Sequence, residues 1–511
     1  MHKIFIRLPE SYGERKIRMA NVFRSSLYLP VATTIKIPEY TNVPIPENWL
    51  KLIDCREFQR LKKVRQLSTV IWVYPGAEHN RFEHSLGVYH TARQTLQNLL
   101  RDDRVFSMLD ERALDIFLAS SILHDLGHYP LSHVIEEIIK FEPYKSGNHL
   151  RRFTHENILN EFVEYRDSEL KRVLTSLFTA DEIFIIRDLV SSGYDEIKAK
   201  RGNNWAFLKS LIDGLVDIDK IDYLEGDSIH CGVPYGKGYD KFRIISALTL
   251  NEQGDHVAVS EKGRASLELL LLCRYTMFTE VYWHHTTRAV VAMLKRAFWD
   301  LLGDDPQSVD SDFLKGYEDR NIHKCILGEN VWTENPYYYT DDEALWFLKS
   351  YASSRGKKVA EKLLNAIIQG RYYQGVREDG LYKRILTFPY VAEDSLERRS
   401  REIIDLVKKI TLYIYSRDWR KFTLGVVREI KRNTGISDLK EHEIIFDVAK
   451  KEERFDLQIF YPKRNIYDDI RNASPIIKQL MVLFEKDANR HIRIFCHPKH
   501  FTELSKQRNK I

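Results

Sequence analysis

The feature that most constrains this 511-residue chain is the stretch Ser121-Ile-Leu-His-Asp-Leu-Gly-His-Tyr-Pro130, where an apolar helical run ends in a paired His124 and Asp125. Leu114, Ile116, Phe117, Leu118, Ile122 and Leu123 make the run apolar on nearly every face, so its helix belongs inside a core. The imidazole and carboxylate at its inner end are carried in with it. Buried polar groups of this kind are costly unless they are paired, and imidazole beside carboxylate is a common ligand pair for a divalent metal. Alone, the dipeptide is weak evidence. Its weight comes from two other segments.

Upstream lies Asn80-Arg-Phe-Glu-His-Ser-Leu-Gly-Val88, and downstream lies Asp217-Ile-Asp-Lys-Ile-Asp-Tyr-Leu-Glu-Gly-Asp227. His84, then His124 and Asp125, then Asp219 follow the order and spacing of the HD superfamily of metal-dependent phosphohydrolases. Together the three segments resemble its deoxynucleoside triphosphate triphosphohydrolase branch, without a counterpart of the SAM domain of the vertebrate members. The resemblance implies a mainly α fold with an all-helical core, and metal ligands His84, His124, Asp125 and Asp219. It also implies water attack at the α-phosphate of a dNTP, giving deoxynucleoside and inorganic triphosphate. Two imidazoles with two carboxylates suit Fe, Mn, Ni or Zn, with Mg also admissible, and the residues do not choose among them.

Protonation of the departing 5′ oxygen asks for an acid, and His128, His133 and His155 are the candidates, with Asp219 counted among the catalytic residues as a metal ligand. His128 follows His124 by four residues, on the same helical face, and the resemblance makes His133 the catalytic histidine. A triphosphate needs cations beyond the metal. The resemblance assigns Arg81, Lys220 and Arg274 to phosphates, Tyr223 and Asp227 to the 3′-hydroxyl side of the sugar, and Gln66, Leu67 and Tyr282 to a wall that leaves no room for a 2′-hydroxyl. Trp283 stands where the vertebrate members have Gln. Asp54, Gln59 and Lys62 align with a nucleotide-activator pocket shared between subunits in the relatives, which implies a homo-oligomer. Lys62 replaces an Arg there, and Ile37-Pro-Glu-Tyr-Thr41 replaces Asp-Pro-Ile-His-Gly in the arm leading to it.

With 43% hydrophobic and 30% charged residues the chain can bury a large core, and its length predicts an appended lobe. We expect an irregular arm over 1–45 with one small hairpin, a phosphohydrolase core over 46–300, and a smaller mixed α+β lobe over 301–511. Two helices meeting near Cys55 are expected over 46–67. A loop at 71–76 precedes the helix at Asn80, with further loops at 145–149 and 193–204. A strand pair at 247–250 and 257–259 is followed by helix over 262–299 and, after an N-cap at Thr340, over 345–364. Strands are expected at 386–390, 444–448, 457–460 and 492–495, and helices at 396–415 and 476–484.

The net charge of +5 is mild for this length, so composition makes no case for nucleic acid. The basic stretches 421–432 and 499–510 lack the interleaved aromatics that stack bases. Five cysteines without CxxC spacing read as free thiols in a reducing compartment, and no apolar window reaches the length of a membrane span, so a cytoplasmic location is expected. Two alternatives stay open: an HD phosphohydrolase acting on another nucleotide or a nucleic-acid end, and a nucleic-acid-binding protein whose HD site is secondary.

Overall fold

A computed structural model describes residues 22, 24–139, 155–164, 168–302, 340–370, 377–388, 419–448, 456–483 and 492–510. The expected loop at 145–149, the expected helix at 396–415, residues 389–390 of an expected strand and Cys325 lie outside these. Helices dominate the described residues, and three small sheets accompany them.

Strands β1 (Val31–Ile37) and β2 (Tyr40–Pro46) pair antiparallel around a turn at Pro38 and Glu39. Val43 and Ile45 are buried, which seats the hairpin on the helices. Its turn end is fastened by a 2.6 Å hydrogen bond between the Tyr40 and Thr91 hydroxyls, with the Lys241 ammonium 4.0 Å from the Tyr40 ring centre.

Helix Glu47–Asp54 stops at Cys55, as the interrupted periodicity predicts, and Arg56–Gln59 continues at a new angle into a 3-10 turn, Arg60–Lys63. The helical period expected through Leu67 ends there. Val64 turns extended, Arg65 bridges Asn80, Gln66 N–H donates to the His79 carbonyl at 3.0 Å, and Arg81 N–H donates to Val64 at 3.0 Å. This backbone pairing straps Gln66 and Leu67 alongside the start of the His84 helix.

Three helices form the centre: Arg81–Leu99, Glu111–Leu123 and Ile218–Cys231. Each begins at a side-chain cap, Asn80, Asp110 and Asp217, which accepts from a first-turn N–H that would otherwise lack a partner. Leu86, Tyr89, Phe117, Leu118, Leu123, Ile221 and Leu224 pack between them in one continuous core.

The residues expected to loop over 193–204 instead hold helix Tyr194–Arg201. Asp195 and Glu196 in its first turn and Lys198, Lys200 and Arg201 in its last complement the helix dipole, and Gly202, at φ +86°, ends it. The helix expected over 262–299 is two, Arg264–Met277 and His285–Leu302, joined by a π-helical turn, Phe278–Tyr282. The helix expected over 345–364 is also two, Asp341–Ser354 and Lys358–Gln369, with the break at Gly356. Thr340 caps the first of these in a capping box with Glu343.

Strands β3 (Leu248–Leu250) and β4 (Val257–Ser260) pair antiparallel. Later in the chain come β5 (Lys383–Phe388), β6 (Ile444–Val448), β7 (Gln458–Tyr461), β8 (Ile466–Asp469) and β9 (Ile492–Cys496). β7 joins β4 in parallel, giving a four-stranded order β3-β4-β7-β8, and β9 is central in the antiparallel order β5-β9-β6. The C-terminal strands are thus stitched into the helical body. Asp447 of β6, wholly buried, ties them further: Arg288 donates to its Oδ2 from Nε at 2.7 Å and to its Oδ1 from Nη2 at 2.6 Å.

Candidate active site

The three central helices bring His84, His124, Asp125 and Asp219 to one point. His84 lies in the first turn of its helix, His124 closes the helix Glu111–Leu123, and Asp219 lies in the first turn of Ile218–Cys231. His84 Nε2 is 3.0 Å and His124 Nε2 3.6 Å from Asp219 Oδ1. Asp125 stands 3.6 Å from His84 Nε2 and 3.5 Å from His124 Nε2. The ligand atoms of His84, His124 and Asp219 all lie within 4.8 Å of one another.

Both tautomers are set from behind. His84 Nδ1 is 2.8 Å from Asp222 Oδ2, and His124 Nδ1 is 2.9 Å from the Ser121 carbonyl oxygen. These oxygens only accept, so each Nδ1 carries the proton and each Nε2 lone pair faces the shared point. Both Nε2 atoms are buried without a hydrogen-bond partner among the described residues, which is the donor set a divalent ion requires. Burial opposes charge on His84, yet Asp219 and Asp222 hold its pKa well above the imidazole value, a demand for positive charge that a cation meets as a proton does. Burial would raise Asp125 and Asp219, but Arg81, His124 and His128 hold the former carboxyl well below its ordinary range, and His124 and His84 lower the latter.

Asp222 escaped the sequence reading. It lies three residues after Asp219, on the same helical face, and that spacing was the available signal. Gly87 makes room for it, since a Cβ at that position would fall 2.1 Å from Asp222 Oδ1.

Next to this group, Asp125, His128 and His155 form a second set with ligand atoms within 4.8 Å. His128 Nε2 is 3.2 Å from Asp125 Oδ1, and its ring stacks on His155 at 3.7 Å. Burial, then Arg81 and His155, push the His128 pKa well below the imidazole value, so it is neutral. His155 Nδ1 is 2.9 Å and His133 Nδ1 3.5 Å from Glu136, another residue not foreseen. His133 is the exposed member, with 59% of its side chain open to solvent.

A cavity of about 1220 Å³ opens beside these groups. Arg81, Asp125, His128, His133, His155, Asp219, Lys220, Tyr223, Asp227, Arg274, Gln66, Leu67, Tyr282 and Trp283 all line it. Arg81 is bound to Asp125 Oδ2, and Lys220 to Asp217, so neither cation swings freely. Arg274 Nε donates to the Tyr223 hydroxyl at 3.3 Å, and the Tyr282 hydroxyl donates to Asp227 at 2.5 Å. The π-helical turn is what sets Tyr282 and Trp283 side by side in the wall. Asp54, Gln59 and Lys62 lie outside this lining: Lys62 Nζ donates to Gln59 Oε1 at 2.7 Å and sits 4.5 Å from the Phe82 ring centre. No helix among the described residues is long and apolar enough to cross a membrane.

Residues 81–187 match the family model described as HD domain, and residues 239–363 match the one described as HD associated region. The uncharacterized protein YwfO of Bacillus subtilis is 26% identical over 84% of this chain and 93% of its own length. Deoxynucleoside triphosphate triphosphohydrolase SAMHD1 of Homo sapiens is 26% identical over 95% of this chain and 74% of that protein. Among solved structures, a hypothetical protein from Aquifex aeolicus aligns with a TM-score of 0.60 at 22% identity, covering 93% of this chain and 99% of the other. A phosphohydrolase from Bacteroides thetaiotaomicron aligns with a TM-score of 0.59 at 22% identity, covering 91% and 99%.

Proposed function

We propose, from the premise that this chain is an HD-domain protein related to the SAMHD1 enzymes, that it is a metal-dependent dNTP triphosphohydrolase, cleaving a dNTP to deoxynucleoside and inorganic triphosphate. The observation that carries the reading is one cavity lined at once by ligands, cations and an aromatic wall. His84, His124, Asp125 and Asp219 would hold a divalent ion, whose chemistry is to polarise a phosphoryl oxygen and lower the pKa of water.

The chain's own residues do the rest in this reading. Lys220 and Arg274 lie along the wall and neutralise the phosphates, and Arg81 holds Asp125 in place while facing the same space. Attack of water at the α-phosphorus breaks its bond to the 5′ oxygen, which takes a proton as it leaves. In this reading His133, which lines the cavity and is braced by Glu136, gives that proton. His128, neutral and packed on Asp125, orders the histidine pair. Leu67 and Tyr282 stand against the 2′ position of the sugar. Tyr282 gives its one O–H to Asp227 and has no donor left for a ribose.

Regulation by a second nucleotide is absent or less selective for guanine than where an Arg replaces Lys62, because one ammonium lacks the bidentate fork. Closed homo-oligomers are the usual way a soluble chain shares such a pocket. Incubation with each of the four dNTPs and rNTPs in Mn or Mg, with products resolved as nucleoside plus triphosphate, tests the reading. Nucleotide left intact, or release of monophosphate and pyrophosphate, would overturn it.

A further inference from the structure

Outside the cavity lining, a third mixed cluster joins three elements: Glu39 at the β1–β2 turn, Glu83 in the first turn of Arg81–Leu99, and His230 in the last turn of Ile218–Cys231. Their two carboxylate oxygens and one imidazole nitrogen lie within 4.8 Å of one another. His230 Nε2 is 2.7 Å from Glu83 Oε1 and 3.9 Å from Glu39 Oε1.

Glu39 is the unusual member. Its side chain is only 6% exposed, and among the described residues its ion-pair partner is His230 alone, at that longer distance. Burial, followed by the nearby Asp222 and then Glu83, pushes its carboxyl up to about 7. The helix is notched to admit it, since a Cβ at Gly226 would fall 2.5 Å from Glu39 Oε1. A buried carboxylate is thus directed toward two further ligand-type groups, with no cation among the described residues in hydrogen-bond reach.

We propose that Glu39, Glu83 and His230 bind a second divalent transition-metal ion, of the Mn or Zn class, separate from the ion of the cavity. Ligands about 2.0–2.2 Å from such an ion stand roughly 3–3.5 Å apart, so the 2.7 Å Glu83–His230 contact opens slightly and the 3.9 Å Glu39–His230 gap closes slightly. The imidazole disfavours Ca and Mg, which take oxygen ligands. Glu83 and His230 keep 19% and 20% of their side chains exposed, which gives an ion and its remaining waters a way in. The ion would tie the hairpin turn to the two helices that carry His84 and Asp219. His79 stacks on His230 at 4.2 Å and contacts Asp227 at 2.9 Å, so the clamp reaches the cavity wall as well.

The test uses the full chain with His124→Ala and Asp125→Ala, which removes a member of each cavity group. After chelation, the protein is dialysed against Zn or Mn and its metal content measured. One equivalent is expected to remain and to be lost with added Glu39→Gln or His230→Gln, each checked for folding by circular dichroism. X-ray absorption of the retained zinc is expected to show one imidazole among oxygens. Absence of the equivalent in the His124→Ala, Asp125→Ala protein overturns the proposal. So does its persistence in a folded Glu39→Gln chain, or a spectrum with two or more imidazoles, and the spectrum decides even if the added variants do not fold.

Discussion

Replacing Asp222 should weaken metal binding without touching a ligand. The carboxylate is buried, accepts from His84 Nδ1 at 2.8 Å, and so keeps the Nε2 lone pair turned toward Asp219 and Asp125. Asp222→Asn retains an oxygen that can accept the same proton but removes the negative charge that makes His84 a stronger base. Loss of such a supporting group typically costs about 10–100-fold in metal affinity, or roughly 1.4–2.8 kcal/mol. Asp222→Asn should fall near the lower figure. Asp222→Ala should fall near the upper one, because it also frees the ring to rotate into the space the side chain leaves. Isothermal titration of the metal-free protein with Mn reads the affinity directly, and turnover at rising Mn separates binding from chemistry. Activity should return toward the unmodified level once metal saturates, since Asp222 does not line the cavity. An Asp222→Ala protein that folds and binds Mn as tightly as its parent would show that His84 needs no orienting partner, and the reasoning from tautomers would be wrong.

Arg81→Ala leaves Asp125 buried beside fewer cations, so a urea melt of the metal-free protein should show about 3–5 kcal/mol lost, with turnover lost too. Tyr282→Ala should narrow the preference for dNTP over rNTP, measured as the ratio of kcat/KM values; equal hydrolysis of ATP and dATP by the unmodified chain would remove the deoxyribose wall. Chelation should abolish turnover while far-ultraviolet circular dichroism keeps its helical signature. Glu39 has a folded pKa raised to about 7, so the stability it contributes is complete below its ordinary value of 4.5 and is lost as pH rises through 7. Glu39→Gln should therefore stabilise the metal-free protein at pH 8, by roughly 3 kcal/mol at most in a urea melt, and leave its stability unchanged below pH 4.5. Metal should shrink that difference if the Glu39 cluster binds an ion.

What could be read in advance was whatever a local stretch of chain determines. The break at Cys55, the cap at Thr340, the β3–β4 pair and the strands near 444, 458 and 492 each follow from period, capping residues or β-branched runs within a short window. The helix Tyr194–Arg201 was missed because its sequence is polar and looks like a loop, while its stability comes from charges matched to the helix ends. The π-helical turn at Phe278–Tyr282 was missed for the opposite reason, since an apolar helical period runs straight through it. Nor does any local pattern reveal that β7 will pair in parallel with β4, some 200 residues earlier in the chain.

The candidate site divides along the same line. His84, His124, Asp125 and Asp219 sit in dense, recognisable segments, and the cavity gathers nearly all of the residues that the resemblance nominates around them. The residues that escaped notice, Asp222, Glu136, Asp217 and His79, act on those groups from behind, and each is an ordinary helix, cap or loop residue until its partner is known. Their pairing depends on how closely two backbones approach, and here that approach is controlled by glycine. Gly87 admits Asp222 to His84, and Gly226 admits Glu39 to His230, so each glycine marks the entry point of a buried carboxylate. Gly87→Ala should then reproduce the metal-binding defect of Asp222→Asn, because its Cβ occupies the space the carboxylate needs. If Gly87→Ala folds and binds Mn with parental affinity, the helices can separate without disturbing His84, and close approach is not what positions the ligand.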